Sequence, residues 1–548
     1  MKKSTKLCAL ALAMLLVFAL MASCGTTEEP TPSQTPTTTP SEEPSTQPSE
    51  EPAPEPGNPT LPLTNEPVTF TWFRPIAQEN FAKYGGFGDN EGYKELAKRT
   101  GITIEFVSPV FGADVEPFSM MINSGDYTDL ISPDSRAVYP GGFDKAIEDQ
   151  VFLRVNELVD KFAPNYKHLR ESSEGYRKES MTDSGNMPGF YSLMKLEEKA
   201  RPWGGLLIRQ DWLDDLGMNM PITLDDWYST LTAFKDQKGA TAPLFMYKTG
   251  IMIGGGEILS AYDVGADIYQ VDGTVKYGPI EPGFKEYLML MNKWYSEGLI
   301  APDFMTNQSP IYMPDTAYTT TGKSGIFWNV YTVELLAMMS GNPDYKLSAV
   351  PYPVKNVGDR VHFMGPAGMG DTASFSVAIS TTCSDPELAT RWADYQYSPD
   401  GYLLTTYGLE GVTYEMVDGH PKYFDIIEEQ PFSEISGKYL LGMGSPCIWD
   451  FDAEYSMLSE VQVKLTDVWG DADRDYVMPA ISLTTEEGER SSALKADIDT
   501  HVSEMILKFI AGDESFDNYD AFIDRIKTMG IDEVVEIHQN ALERYNAR

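Results

Sequence analysis

Cysteine and cationic side chains are what this sequence has least of. Four cysteines in 548 residues exclude the disulfide framework that holds small secreted domains together. Lys and Arg number 42 against 82 Asp and Glu, a formal net charge of −40. That balance excludes a surface for the nucleic-acid backbone or for an anionic membrane face. It also disfavours strongly anionic ligands unless a local basic pocket overrides the global field. Histidine is sparse too. His168, His362, His420, His501 and His538 form no H-E-x-x-H and no other metal-ligand spacing. There is no G-x-S-x-G elbow and no phosphate-cradling glycine loop, and Gly254-Gly255-Gly256 reads as a turn. Acidic residues abound, yet no motif pairs two of them as a glycosidase would.

Long apolar runs are equally scarce, and the clearest one lies at the N-terminus. Lys2, Lys3 and Lys6 precede the uncharged stretch Leu7 to Ala22, which ends in Met21-Ala22-Ser23-Cys24. The run is too short for a membrane span and has the flanks of a secretory leader, residues 1–23. Its last four residues resemble a bacterial lipobox, which implies an acylated Cys24 and several chains for stable anchoring. Loss of the leader's three lysines takes the net charge to −43. From Cys24 to Glu66 the chain is low-complexity. Between Thr26 and Pro59 it has ten Pro, twelve Ser or Thr, and no aromatic, Lys or Arg, so it cannot bury enough apolar area to offset its ordering entropy. Residues 24–66 therefore read as a stiff tether reaching on the order of 100 Å at about 3.1 Å per residue. The expected location is the extracellular face of the cell membrane.

The remaining body, from Pro67, is long enough for two lobes. Val68 to Phe73 alternates as a strand, and Tyr93 to Arg99 reads as a helix stopped by Gly101. Ile102 to Val107 is a second strand, Phe118 to Ile122 is helical, and Leu130-Ile131 is a third strand. This β-α-β-α-β order implies parallel strands, with ligand beyond their carboxyl ends, at Trp72 to Arg74 and Ser132 to Arg136. Gly217 ends a helix from Arg209, and Thr223 caps the next with Asp226 three residues on. Apolar stripes at Ile498 to Phe509, Tyr519 to Ile526 and Val534 to Tyr545 predict three closing helices. Cys383 and Cys447 are the cysteines left in the body, and a bond between them stays open.

Four stretches carry a resemblance. They are Leu207-Ile208-Arg209-Gln210-Asp211-Trp212-Leu213 with Gly217, Pro221 and Trp227; Tyr287 to Leu299; Tyr407 to Tyr414 with Asp418-Gly419; and Met529 to Glu533 with Arg544-Tyr545. Together they resemble the family 1 extracellular solute-binding proteins, in the lipoprotein branch common in Firmicutes. The resemblance implies an α/β, two-lobe periplasmic-binding-protein-like fold (type II, Venus-flytrap) with C-terminal helices. It implies crossings near Tyr191 to Leu196 and Asp371 to Ser376. Lobe 1 would then comprise 67–192 plus about 376–412, and lobe 2 would comprise 193–375 plus about 413–548. It further implies a monomer that closes on a ligand and docks on ABC-importer permease subunits, with no catalysis and no cofactor. One departure stands out. Some relatives carry a calcium loop after a helix ending in Phe-Lys-Asp, whereas Gln237 to Pro243 here lacks the carboxylates. Asp471, Asp473 and Asp475 lack the Gly and Glu of a calcium loop and read as a solvated acidic loop.

A sugar offers hydroxyl edges and apolar C–H faces, so its site needs aromatic platforms and polar side chains. Trp212, Trp227, Trp294 and Trp392 sit at helical spacing and read as core, and Trp469 is ambiguous. Trp72, Trp203, Trp328 and Trp449 sit in loop contexts, as platforms or as buried loop anchors. Beside them stand Arg74, Asn329, Tyr331 and Asp450, with Tyr262 further off. Asp134 and Arg136 follow the third strand, where relatives bind sugar hydroxyls. Arg209 is either a ligand residue or a structural ion-pair partner. The expectation is capture of a carbohydrate, an oligosaccharide by preference, for import. A binder of peptide or another solute, using Arg74, Arg136 and Arg209 for fixed charge, is the alternative, and a surface glycosidase is a third reading.

Overall fold

Strand formation follows the β-rich runs. In the computed structural model, residues 55–548 are described except 77–82, 84, 111–112, 133–138, 196–201, 247–255, 307–315, 331, 364–371, 426–431 and 441–444. Cys24, and with it the leader and most of the tether, lies outside the described residues. The strands are β1 (Val68–Phe73), β2 (Ile102–Val107), β3 (Leu130–Ile131), β4 (Phe190–Met194), β5 (Gly204–Arg209), β6 (Leu244–Phe245), β7 (Ile268–Val271), β8 (Thr274–Tyr277), β9 (Ile326–Val330), β10 (Leu347–Ala349), β11 (Thr372–Ile379), β12 (Tyr414–Val417), β13 (His420–Tyr423) and β14 (Cys447–Trp449).

Two main sheets result. One has the order β14-β4-β11-β3-β1-β2, the other β10-β5-β9-β6, and β7-β8 and β12-β13 are hairpins. In the first sheet β1 runs parallel to β2 and β3, and β14 runs parallel to β4, while β11 opposes both β3 and β4. The predicted β-α-β-α-β run is therefore present. Its first helix, Glu91–Thr100, is capped by the Asn90 side chain and stopped at Gly101, whose φ of 77° suits a residue without Cβ. The helix Leu224–Lys238 opens with the Thr223–Asp226 capping box. Each sheet packs its own core. Trp72, Tyr166 and Trp392 belong to the larger sheet's core, and Trp212, Trp227, Trp294 and Trp469 to the smaller sheet's.

Sheet membership redraws the lobe limits. β4 still belongs to the first sheet and β5 to the second, so the first crossing falls between Met194 and Gly204. The return falls between Ala349 and Thr372. A third passage follows β14: the resemblance implies lobe 2 for residues from about 413, but β14 pairs in parallel with β4 and belongs to the first sheet. The register Cys447↔Ser192 to Trp449↔Met194 fixes this. The helix Glu460–Trp469 then packs on β5 and β10.

The tether is also shorter than its composition implies. Asn165 clamps the Gly57 backbone on both sides, accepting from its N–H at 2.7 Å and donating to its carbonyl at 3.0 Å. Asn58 accepts from the Asp400 N–H, and the Leu63 N–H donates to the Thr100 carbonyl. Residues 55–66 are thus part of lobe 1. Asp394 holds Asn165 and the Tyr166 N–H, each at 2.8 Å, and burial pushes its carboxyl up to about 6.

Cys383 and Cys447 are free and buried. Burial pushes their thiols up to about 12 and about 11 respectively. Because the thiolate is the nucleophile, a disulfide-exchange reagent should leave both unreacted in the native body and titrate both after denaturation. Fast modification of either in the folded protein would contradict this packing.

Candidate functional site

The strand directions locate the site. In the first sheet β1, β2, β3, β4 and β14 all run the same way, so their carboxyl ends share one edge. In the second sheet the ends of β6, β9 and β10 lie beside the start of β5. The chain passes from one sheet to the other at these ends, after β4 and after β14. Ligands of open α/β sheets bind outside the carboxyl ends of the strands.

On the second sheet this edge carries Trp203 and Trp328. Trp328 is 3% exposed and its ring lies against Gly204, where a Cβ would come within 2.7 Å of the indole. Trp203 is half-buried and meets Trp328 edge-on, with centroids 5.6 Å apart at 85°. The next glycine admits another indole: a Cβ on Gly205 would fall 2.6 Å from Nε1 of Trp469, whose N–H donates to the Leu206 carbonyl at 2.9 Å. The sequence Trp203-Gly204-Gly205 thus leaves room for two tryptophans against one strand. Trp469 resolves as core.

Trp328 also has a partner that sequence reasoning missed. Its indole N–H donates to Oε1 of Glu257 at 3.1 Å. Glu257 is 3% exposed, and its Oε2 is buried without a hydrogen-bond partner. Burial drives its carboxyl well above the carboxylate range, opposed only by the indole hydrogen bond. Asn329 is also buried. Its Oδ1 accepts from Thr332 at 3.2 Å, and its Nδ2 has no partner.

On the first sheet Trp449 is half-buried, stacked on Phe451 at 5.4 Å and 25°, and donates from Nε1 to Glu454 at 3.1 Å. Asp450 is saturated. Its Oδ2 accepts from Lys195 at 3.1 Å and from the Tyr402 hydroxyl, and its Oδ1 caps the helix Phe451–Tyr455 through the N–H groups of Asp452 and Ala453. A carboxylate offers about four acceptor sites, so Asp450 fastens the chain where it crosses between sheets and has none left for a ligand hydroxyl.

Other candidates turn inward. Trp72 is 0% exposed, stacked on Phe106 and bordered edge-on by Trp392 and Tyr93, so neither ring face is left for a sugar. Arg74 is 4% exposed, 4.0 Å over Phe87 and 4.9 Å over Trp72, and it donates to the Tyr93 hydroxyl. Arg209 stands at the opposite end of β5. It makes a two-point ion pair with Asp211 at 2.8 and 2.5 Å and lies between Trp212 and Tyr345. Tyr262 lies under the Lys355 ammonium at 4.3 Å. Asp134, Arg136 and Tyr331 lie outside the described residues.

The acidic loop is tied to the return crossing. Asp473 pairs with Arg360, and Asp475 with Nδ1 of His362 at 2.9 Å. His362, Asp473 and Asp475 bring ligand-type atoms within 4.8 Å of one another, but a guanidinium already occupies part of that charge.

No family model matches the chain. It is 22% identical over 495 residues to the fructooligosaccharide ABC transporter substrate-binding protein FusA of Streptococcus pneumoniae, covering 83% of this chain and 87% of that protein. It is 23% identical over 412 residues to the polygalacturonan/rhamnogalacturonan-binding protein YtcQ of Bacillus subtilis, covering 70% and 76%. Among solved structures it superposes on an S. pneumoniae FusA EF-hand mutant in complex with fructo-nystose with a TM-score of 0.71, at 19% identity, covering 87% of this chain and 99% of that one.

Proposed function

We infer that this chain, an extracellular solute-binding protein with the two-lobe fold, captures an oligosaccharide for an ABC importer and releases it unchanged. The observation that carries this reading is the placement of two half-buried indoles, Trp203 and Trp449, each at a strand end where the chain passes from one sheet to the other. A sugar ring stacked between them touches both lobes, so binding favours the closed arrangement. The permease subunits then receive the closed form. Acylated Cys24 would hold the body at the outer membrane face, with residues 24–54 as the tether. The relatives are named as binding proteins for neutral and for acidic glycans, which supports binding without catalysis. The peptide alternative needs fixed cations; of Arg74, Arg136 and Arg209, the first and last are each enclosed by their own lobe and Arg136 lies outside the described residues.

A panel of oligosaccharides tested by tryptophan fluorescence and thermal shift checks this. A cognate sugar at about 100 times Kd stabilises the body by about 2.7 kcal/mol and changes the emission of Trp203 and Trp449. Stabilisation by peptides, with no response to a broad glycan panel, would overturn the assignment.

A further inference from the structure

The helix Thr485–Ala511 is 27 residues long, about 40 Å at 1.5 Å per residue, and it packs on both lobes. From Ile498 to Ile510 its apolar residues lie in the smaller sheet's core, together with Ile531 and Val534 of the helix Ile531–Ala547. Its first turn lies on lobe 1. There Gly488 meets Gly141 backbone to backbone: a Cβ on Gly488 would fall 3.3 Å from the Gly141 carbonyl carbon. The same end of the helix pair closes on Asp183, a lobe 1 carboxylate whose side chain is 2% exposed. Nε of Arg544 donates to its Oδ2 at 2.5 Å, and Glu487 holds the rest of that guanidinium, accepting from Nη1 at 2.9 Å and from Nη2. Arg548 pairs with Asp183 as well, and its Nη1 donates to the Lys178 and Met181 carbonyls at 2.8 and 2.7 Å. The Ser482 hydroxyl donates to Oδ1 of Asp183 at 3.0 Å. The loop that carries Asp183 is fastened into lobe 1 by Thr182 and Asn186, which each donate to Asp144 at 2.7 Å.

An exposed ion pair parts at little cost, but separating this one would strand a buried carboxylate without its cations. A motion that recurs with every ligand therefore leaves it intact. Lobes joined at a contact that does not part move by rotation about it. We propose that the Asp183 cluster is the fulcrum of lobe closure: the helix pair built into lobe 2 bears on lobe 1 through Arg544 and Arg548, and the cleft opens and closes while these pairs stay made. This rests on the closure reading and adds to it the point about which the lobes turn. The glycine contact suits that role, because Gly141 and Gly488 bring no side chain between the two backbones. Asp183, Arg544 and Arg548 are then positioning residues, acting on affinity through the lobes. Loosening the fulcrum spreads the lobes over more arrangements, and apparent affinity falls with the fraction competent to bind.

The test measures two spin-label distances, with and without the oligosaccharides of the panel above. One pair, Glu148→Cys with Glu486→Cys, is exposed on either side of the fulcrum; the other, Glu116→Cys with Leu335→Cys, spans the cleft. Sugar is expected to shorten the cleft distance and to leave the fulcrum distance unchanged. Asp183→Asn is expected to broaden both distributions and to weaken sugar binding by about threefold or more. Gly217→Ala, a stability loss within lobe 2, is the control and should change neither. A fulcrum distance that shifts with sugar as much as the cleft distance overturns the inference. So does a folded Asp183→Asn with wild-type distributions and affinity. Should Asp183→Asn fail to fold, the two distances in the otherwise unaltered protein decide alone. A cleft distance that no sugar shifts overturns the closure reading and the fulcrum with it, whereas the preceding outcomes overturn the fulcrum alone.

Discussion

Replacing Trp203 with alanine is expected to weaken oligosaccharide binding by about 30-fold, with little change in the melting temperature. Aromatic anchors at the centre of an interface cost 2 kcal/mol or more on truncation, and 1.4 kcal/mol is a factor of ten. Trp203 is half-buried and rests edge-on against Trp328, so truncation removes a ligand face while the ring behind it stays pinned by Glu257. Trp449→Ala should act similarly from the other lobe, leaving Phe451 exposed where the two rings had stacked. Trp72→Phe gives the contrast, lowering stability and leaving affinity almost unchanged, because Trp72 is enclosed by Phe106, Trp392 and Tyr93. Calorimetry alongside thermal unfolding separates the cases. Full affinity in Trp203→Ala would remove the second sheet's platform from the site.

The largest stability effect is expected at Gly205. A valine there would place its Cβ 2.6 Å from Nε1 and 2.7 Å from Cδ1 of Trp469. That indole is 1% exposed and anchored to the Leu206 carbonyl, so it cannot swing aside as the end of a flexible side chain would. Overpacking of this kind costs about 3 kcal/mol. It would displace the helix Glu460–Trp469 from β5, and that helix follows the β14 passage between lobes. Gly217 offers a comparison. Its φ is 63° and a Cβ there meets nothing within 4 Å, so alanine costs only about 1 kcal/mol through backbone strain. Denaturant unfolding of both variants checks the order, and equal losses would contradict the close-approach account of Gly205.

The parts of the fold that were legible in the sequence are those written in local chemistry. Alternation gave β1 and β2, Gly101 and Gly217 stopped their helices, and Thr223 with Asp226 announced a capping box. β14 escaped because three residues, Cys-Ile-Trp, join a sheet built mostly from positions hundreds of residues earlier. The docked segment 55–66 escaped because its grip is on the backbone of Gly57, which composition does not register. At the site, position at a strand end was readable but the facing direction was not. Trp72 and Arg74 turn inward, whereas Trp203 and Trp449 stay half-exposed. Glu257 carried no signal at all, since a buried acid is made by its tertiary neighbours. The pair Gly204-Gly205 was the available hint, because adjacent glycines inside a strand mark a close approach.

Closure of the two lobes on a sugar is the central claim. The helices Val115–Ser124 and Val333–Ser340 each follow a strand whose carboxyl end lies at the site, and Glu116 and Leu335 are exposed in their first turns. Spin labels on Glu116→Cys and Leu335→Cys, with the native thiols buried, report the distance across the cleft by double electron–electron resonance. The account predicts a shorter and narrower distance distribution when the cognate oligosaccharide is added. An unchanged distribution at saturating sugar would contradict it.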